Sequence, residues 1–142
     1  NFDANKYLGT WYEIARLDHS FERGLQQVSA EYSLAEDGSV KVLNRGYSAE
    51  EQQWNQAQGK AYFVAGVDVG YLKVSFVGPF YGAYVVVELD PEYQYAFVAG
   101  YNKDYLWLLS RTPQVSPELL EHFKSRAKAL GFATNQLIYV EQ

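Results

Sequence analysis

Between residues 11 and 111 apolar and polar positions alternate with period two in short runs, and turn residues cut the runs at intervals too short for helices. Tyr32-Ser33-Leu34 and Val40-Lys41-Val42 face each other across Asp37-Gly38, a dipeptide that accepts the left-handed angles of a tight hairpin. Ala65-Gly66-Val67-Asp68-Val69-Gly70, Gly78-Pro79, Asp90-Pro91 and Tyr101-Asn102-Lys103 punctuate the later part. About eight strands result, at the spacing of an up-and-down antiparallel barrel. The period then changes. Ser116 suits an N-cap, Pro117 the first helical position and Gly131 the residue past the end, while Leu119, Leu120, Phe123, Ala127 and Leu130 form an apolar stripe. Glu121, Lys124, Ser125 and Lys128 occupy the other face, so this helix packs one side on the barrel and leaves the other in water. A final apolar run from Gln136 to Val140 predicts a strand beside the first.

Two segments carry a family likeness. Gly9-Thr10-Trp11 opens the strand Trp11-Tyr12-Glu13-Ile14-Ala15-Arg16, and Asp104-Tyr105-Leu106-Trp107-Leu108-Leu109-Ser110-Arg111 answers it just before the helix. Together with Gly78-Pro79-Phe80-Tyr81-Gly82 they resemble the lipocalins, and their bacterial outer-membrane branch in particular, with the likeness running over residues 1–142 as a single domain. The resemblance implies an all-β fold, an eight-stranded up-and-down antiparallel barrel with a C-terminal α-helix packed outside. Trp11 then plugs the closed end beside Gly9, and Arg111 lies on its indole, a cation–π contact of about 1–2 kcal/mol. The implied function is non-enzymatic binding, storage or transport of a hydrophobic small molecule, a fatty acid or a lysophospholipid. The implied location is the outer membrane, facing the periplasm. A signal sequence and a lipid-bearing Cys upstream of Asn1 would be the only membrane contact. Fatty-acid-binding proteins of the ten-stranded type instead place a helical lid after the first strand, and Leu17 to Gln27 shows no helical stripe.

With Trp11 and Arg111 inside, alternation assigns the inner face. It places Glu13 and Ala15 with Trp11, Leu109 with Tyr105 and Trp107, Ala30 and Leu34 with Tyr32, Val40 with Val42 and Asn44, Leu72 with Val74 and Phe76, Glu88 with Tyr84 and Val86, and Ala96 with Val98. The expected ligand-binding wall is Tyr32, Val42, Asn44, Ala57, Gly59, Ala61, Phe63, Val74, Phe76, Tyr84, Val86, Tyr105 and Trp107. Val85, Val87 and Leu89 are assigned outside, under the helix, by the family's topology. An eight-stranded barrel either fills with side chains or holds one small ligand, and inward Ala57, Gly59 and Ala61 favour the ligand over a packed core. Glu13 and Glu88 are expected near the closed end, either sharing Arg111 in a buried charge network or, for Glu88, standing at the barrel rim in solvent. Phe21, Leu25 and Phe80 either form an apolar lip at the mouth or simply anchor their loops, and Arg23 and Lys103 near the same end either meet an anionic head group or stand solvated.

Composition narrows the remaining classes. The chain of 142 residues makes one domain, and 17% aromatic content suits half-buried strands. A formal charge of −5 with no block of Lys or Arg excludes nucleic acid as a partner. No run of apolar residues reaches the length of a membrane helix. With no Cys there is neither disulfide nor thiolate nucleophile, and His19 and His122 are the only histidines, so neither a catalytic triad nor a metal site nor any cofactor is expected. A pigment held between aromatic walls is the alternative ligand class. A lipocalin-type isomerase using Glu13 with Tyr32 or Tyr84 is the enzymatic alternative. A homodimer remains open, with Tyr71, Tyr81 and Tyr101 as an aromatic face.

Overall fold

Eight strands follow one another as the alternation requires: β1 Gly9–Leu17, β2 Leu25–Leu34, β3 Val40–Ser48, β4 Gln53–Phe63, β5 Tyr71–Val77, β6 Phe80–Leu89, β7 Tyr95–Ala99 and β8 Leu106–Ser110. This computed structural model describes residues 2–17, 23–77 and 80–142, and the side chains of all of these except 77, 80 and 81. Each strand pairs antiparallel with the next, and β1 pairs with both β8 and β2, which closes the barrel. The β2–β3 hairpin turns where Asp37-Gly38 demands it. Gly38 has φ +86, and Asp37 Oδ1 accepts from the Ser39 N–H at 3.0 Å, a bond that with the Ser39 hydroxyl lowers the Asp37 pKa.

A short helix α1 (Ala4–Tyr7), capped by Asp3, precedes β1 and turns Tyr7 into the barrel. Sequence periodicity did not reveal it, because one turn of helix is too short to show a stripe. Helix α2 spans Pro117–Ala129, with the Ser116 hydroxyl accepting from the Leu119 N–H at 3.1 Å. It ends in a Schellman motif. Gly131 takes φ +94 and donates to the Lys128 carbonyl, while the Phe132 N–H donates to the Ala127 carbonyl and its ring is buried beside the helix. Leu130, expected in the apolar stripe, is the C-cap and is exposed. Strand β9, Leu137–Tyr139, then pairs with Ala15–Leu17 of β1.

Two apolar cores follow from this arrangement. One fills the closed half of the barrel around Trp11, Tyr32, Val42, Ala61, Leu72, Val98 and Leu109. The other lies between barrel and α2, where Phe123 meets Phe97 edge-on at 5.0 Å and Ala127, Leu108, Ala99 and Ile14 complete the contact.

Register shifts at four places in the ladders, and at two of them, on β1 and β6, expected faces change. Register shifts between Glu13 and Ala15, so Ala15 faces the helix core and Arg16 takes the inward position opposite Trp107. Register shifts again between Val86 and Glu88. Val87 is outside as expected, but Glu88 is outside too and Leu89 packs on the inner core. Leu34, expected inside, extends past the closed end and is 53% exposed.

Candidate functional site

The closed end is built from the two segments singled out in the sequence. Trp11 is fully buried, its indole N–H donates to the Tyr7 carbonyl at 2.7 Å, and the Arg111 guanidinium lies 3.9 Å from its ring centroid. Arg111 also donates to the carbonyls of Thr10 (3.1 Å), Lys6 (2.7 Å) and Tyr93 (3.1 Å). Gly9 is required twice over: its φ is +103, and a Cβ there would stand 3.3 Å from Arg111 Nη1. Arg111 therefore locks α1, β1 and the β6–β7 turn to one point. Burial lowers its pKa, yet a guanidinium stays charged at any ordinary pH.

Above this plug three phenols form a floor. The Tyr84 hydroxyl lies 2.6 Å from that of Tyr7 and 2.9 Å from that of Tyr32. Burial pushes the Tyr7 and Tyr84 pKa values well above 10, so these two hydroxyls stay neutral. Tyr7 was absent from the expected wall because it comes from α1. Val42 and Ala61 are buried in the same layer, and Phe63 and Val86 pack lower still, against Phe2 and Tyr7. Six expected wall residues, Tyr32, Val42, Ala61, Phe63, Tyr84 and Val86, thus belong to the floor and plug, because the N-terminal segment fills the lower half of the barrel.

The mouth half is different. Ala57 is exposed on the inner face of β4, Asn44 and Gly59 are half-buried beside it, and the Phe76 ring, which lies against Gly59, is 41% exposed. A Cβ on Gly59 would meet the Phe76 ring at 2.7 Å and the Ser75 carbonyl at 2.6 Å, so glycine lets the ring lie flat on β4. Val74 and Trp107 are half-buried deeper in, and Tyr105 stacks on Trp107 with centroids 6.1 Å apart. These side chains stand on the inner face of the mouth half, above Tyr84, and are only partly covered. Of the expected lip, Phe21 and the Phe80 side chain lie outside the described residues, as do His19 and the Tyr81 side chain, whereas Leu25 is half-buried against Gly46. Arg23 is exposed, and Lys103 lies 4.8 Å from the Phe132 ring on the helix side.

The expected sharing of Arg111 by Glu13 and Glu88 does not form. Glu13 instead accepts from Arg16 Nη1 at 3.1 Å, both side chains nearly inaccessible on the inner wall. The bulge that turns Arg16 inward cannot be read from alternation. Glu88 serves the opposite core. It accepts from the Tyr95 hydroxyl at 2.8 Å and lies 2.6 Å from His122 Nε2 and 3.7 Å from Arg126 Nε, tying β6 to α2. Burial, and then the Glu88 carboxylate, pushes the Tyr95 pKa up to about 12. Among the described residues no three His, Asp or Glu side chains converge as metal ligands, and no helix is long and apolar enough to cross a membrane.

Comparison with known proteins agrees with this architecture. The family model described as a lipocalin-like domain matches residues 2–142. The outer membrane lipoprotein Blc of Vibrio cholerae is 64% identical over 143 residues, covering 100% of this chain and 84% of its own length. That of Escherichia coli K12 is 53% identical, covering 100% and 80%. Apolipoprotein D of Mus musculus is 33% identical over 150 residues, covering 100% and 78%. Among solved structures, insecticyanin of the tobacco hornworm Manduca sexta superposes with a TM-score of 0.79 at 19% identity, covering 99% of this chain and 81% of that one.

Proposed function

This chain belongs to the lipocalin-like family, and from that membership we propose that its barrel binds and carries one hydrophobic small molecule, a fatty acid or a lysophospholipid, at the outer membrane. The observation that carries the reading is the contrast between the two halves of the barrel. The lower half is closed by Trp11, Tyr7 and the phenol floor, while in the upper half Phe76 and Ala57 leave apolar surface open on the inner wall. Burying an acyl chain against such surface yields about 0.8 kcal/mol per methylene, and about ten methylenes offset the translational and rotational cost of association. The polar head is then left at the mouth. Relatives named as outer membrane lipoproteins support the location.

The alternative of catalysis by Glu13 with Tyr32 or Tyr84 has less support. Glu13 is engaged by Arg16, and both phenols are joined in the floor. Titration with a fluorescent long-chain fatty acid tests the binding reading. Ala57→Trp should reduce affinity at least tenfold, since an indole displaces several methylenes of acyl chain at about 0.8 kcal/mol each. Lys60→Ala, on the outer face of the same strand, should leave affinity unchanged. Equal affinity for both variants, each folded by circular dichroism, would remove the mouth half of β4 from the site.

A further inference from the structure

The barrel wall is not continuous between its first two strands. β1 and β2 pair directly only from Gly9–Tyr32 to Tyr12–Ser29, at the closed end, whereas β3 and β4 pair without a break from Val40–Ala61 to Ser48–Gln53. Toward the mouth each strand carries a bulge at the same height. β1 shifts register between Glu13 and Ala15, and β2 shifts between Gln26 and Ser29. In the second bulge Gln27 has φ +51, a left-handed conformation unfavourable for a residue with a Cβ. Paired bulges bend the strands apart and withdraw their N–H and C=O groups from each other.

Residues 140–142 take up those groups. The Val140 N–H donates to the Ile14 carbonyl at 2.8 Å, and the Gln27 N–H donates to the Glu141 carbonyl at 2.6 Å. The Gln142 side-chain amide spans the gap, donating to the Glu13 carbonyl at 2.6 Å and the Val28 carbonyl at 2.9 Å. Outside this seam lies a groove of about 470 Å³ whose lining includes Tyr12, Gln27, Ser29 and Gln142. On its inner side stand the Glu13 and Arg16 side chains.

We infer that residues 140–142 are a strap that closes a side slit between β1 and β2, and that its local release governs how fast a ligand exchanges with the mouth half of the barrel. The strap is anchored by few hydrogen bonds at the margin of the sheet, while the ladders around it are long. Local opening therefore costs less than unfolding the barrel. The exchange role rests on the proposed binding of a long-chain lipid, but the opening itself does not.

Two measurements on the full chain test it. Native-state hydrogen exchange should show the Gln27 and Val140 amides opening far more often than those of the β3–β4 ladder. Exchange of these two amides only with global unfolding would overturn the strap. Stopped-flow mixing with cis-parinaric acid should then show that Gln142→Ala, which removes two hydrogen bonds, raises association and dissociation rates together by about tenfold, leaving affinity near its original value. Unchanged rates, or faster dissociation alone, would overturn the gating role. Failure of the unmodified protein to take up cis-parinaric acid would count against the lipid reading, and hydrogen exchange would still decide whether the strap opens.

Discussion

The plug at the closed end allows a quantitative test of whether Trp11 and Arg111 act as one unit. Trp11→Leu removes a fully buried indole and leaves the Tyr7 carbonyl without its 2.7 Å donor, a combined cost of about 3–5 kcal/mol. Arg111→Met keeps an unbranched chain over the ring but drops three hydrogen bonds to the carbonyls of Lys6, Thr10 and Tyr93, for about 2–3 kcal/mol at this half-buried site. The guanidinium stands 3.9 Å from the ring centroid, so a coupling of about 1–2 kcal/mol should appear between the two substitutions. The double variant should thus be less destabilised than the sum of the singles. Urea unfolding followed by far-ultraviolet circular dichroism, which does not depend on the Trp11 signal, gives the four stabilities. Strict additivity, with coupling below about 0.5 kcal/mol, would refute the contact as an energetic unit and leave Arg111 as a carbonyl clamp only.

Ala61→Trp should destabilise the barrel by about 1–3 kcal/mol through overpacking of the floor, whereas Ala57→Trp, at an exposed inward position, should leave the urea midpoint nearly unchanged; equal losses would place both residues in one environment. Phe123→Ala should cost about 3–5 kcal/mol because the ring is buried edge-on against Phe97, and chains cut after Thr112 should aggregate through the bared Phe97 and Leu108 surface; a monomeric truncated protein of unchanged stability would show that α2 contributes nothing to the barrel. Tyr95 gains stability as the neutral phenol, since its pKa rises from 10.0 to about 12 on folding, so this contribution is full below pH 10 and is lost as pH rises toward 12. Absorbance titration of phenolate should therefore show Tyr95→Phe removing a late-ionising group, and loss of an early one would contradict the Glu88 contact.

What could be read from the sequence and what could not divide along one physical line. Hairpins, the helix and its caps are specified locally: Asp37-Gly38, Ser116-Pro117 and Gly131 each dictate the backbone within a few residues, and each stands where expected. Inward and outward faces are also local, but only while the register holds. The bulges on β1 and β6 each insert one residue and invert the assignments beyond it, which is why Ala15 and Glu88 moved to the helix side and Arg16 and Leu89 to the inner side. Cavity depth is still less local. Whether Tyr32, Val42 and Ala61 line open volume or a floor depends on what else enters the barrel, and Tyr7 and Phe2 enter from a segment with no periodicity of its own.

The two bulges on β1 and β2 have a further consequence for where specificity resides. A barrel closed by ladders on every side has one way in, and its selectivity is set at the rim. Here the bulge that opens the β1–β2 seam is the same one that turns Arg16 inward beside Glu13, so the least continuous part of the wall is also its most polar part. A buried ion pair is costly to separate, because either partner left alone keeps an uncompensated charge. Glu13→Gln removes this 3.1 Å contact from a nearly inaccessible pair and should accordingly destabilise the protein, by much less if opening of the strap lets Arg16 reach water. Comparing Glu13→Gln alone with Glu13→Gln plus Gln142→Ala by urea unfolding separates the cases. A second substitution that adds its full independent cost would mean that Arg16 gains no relief through the seam.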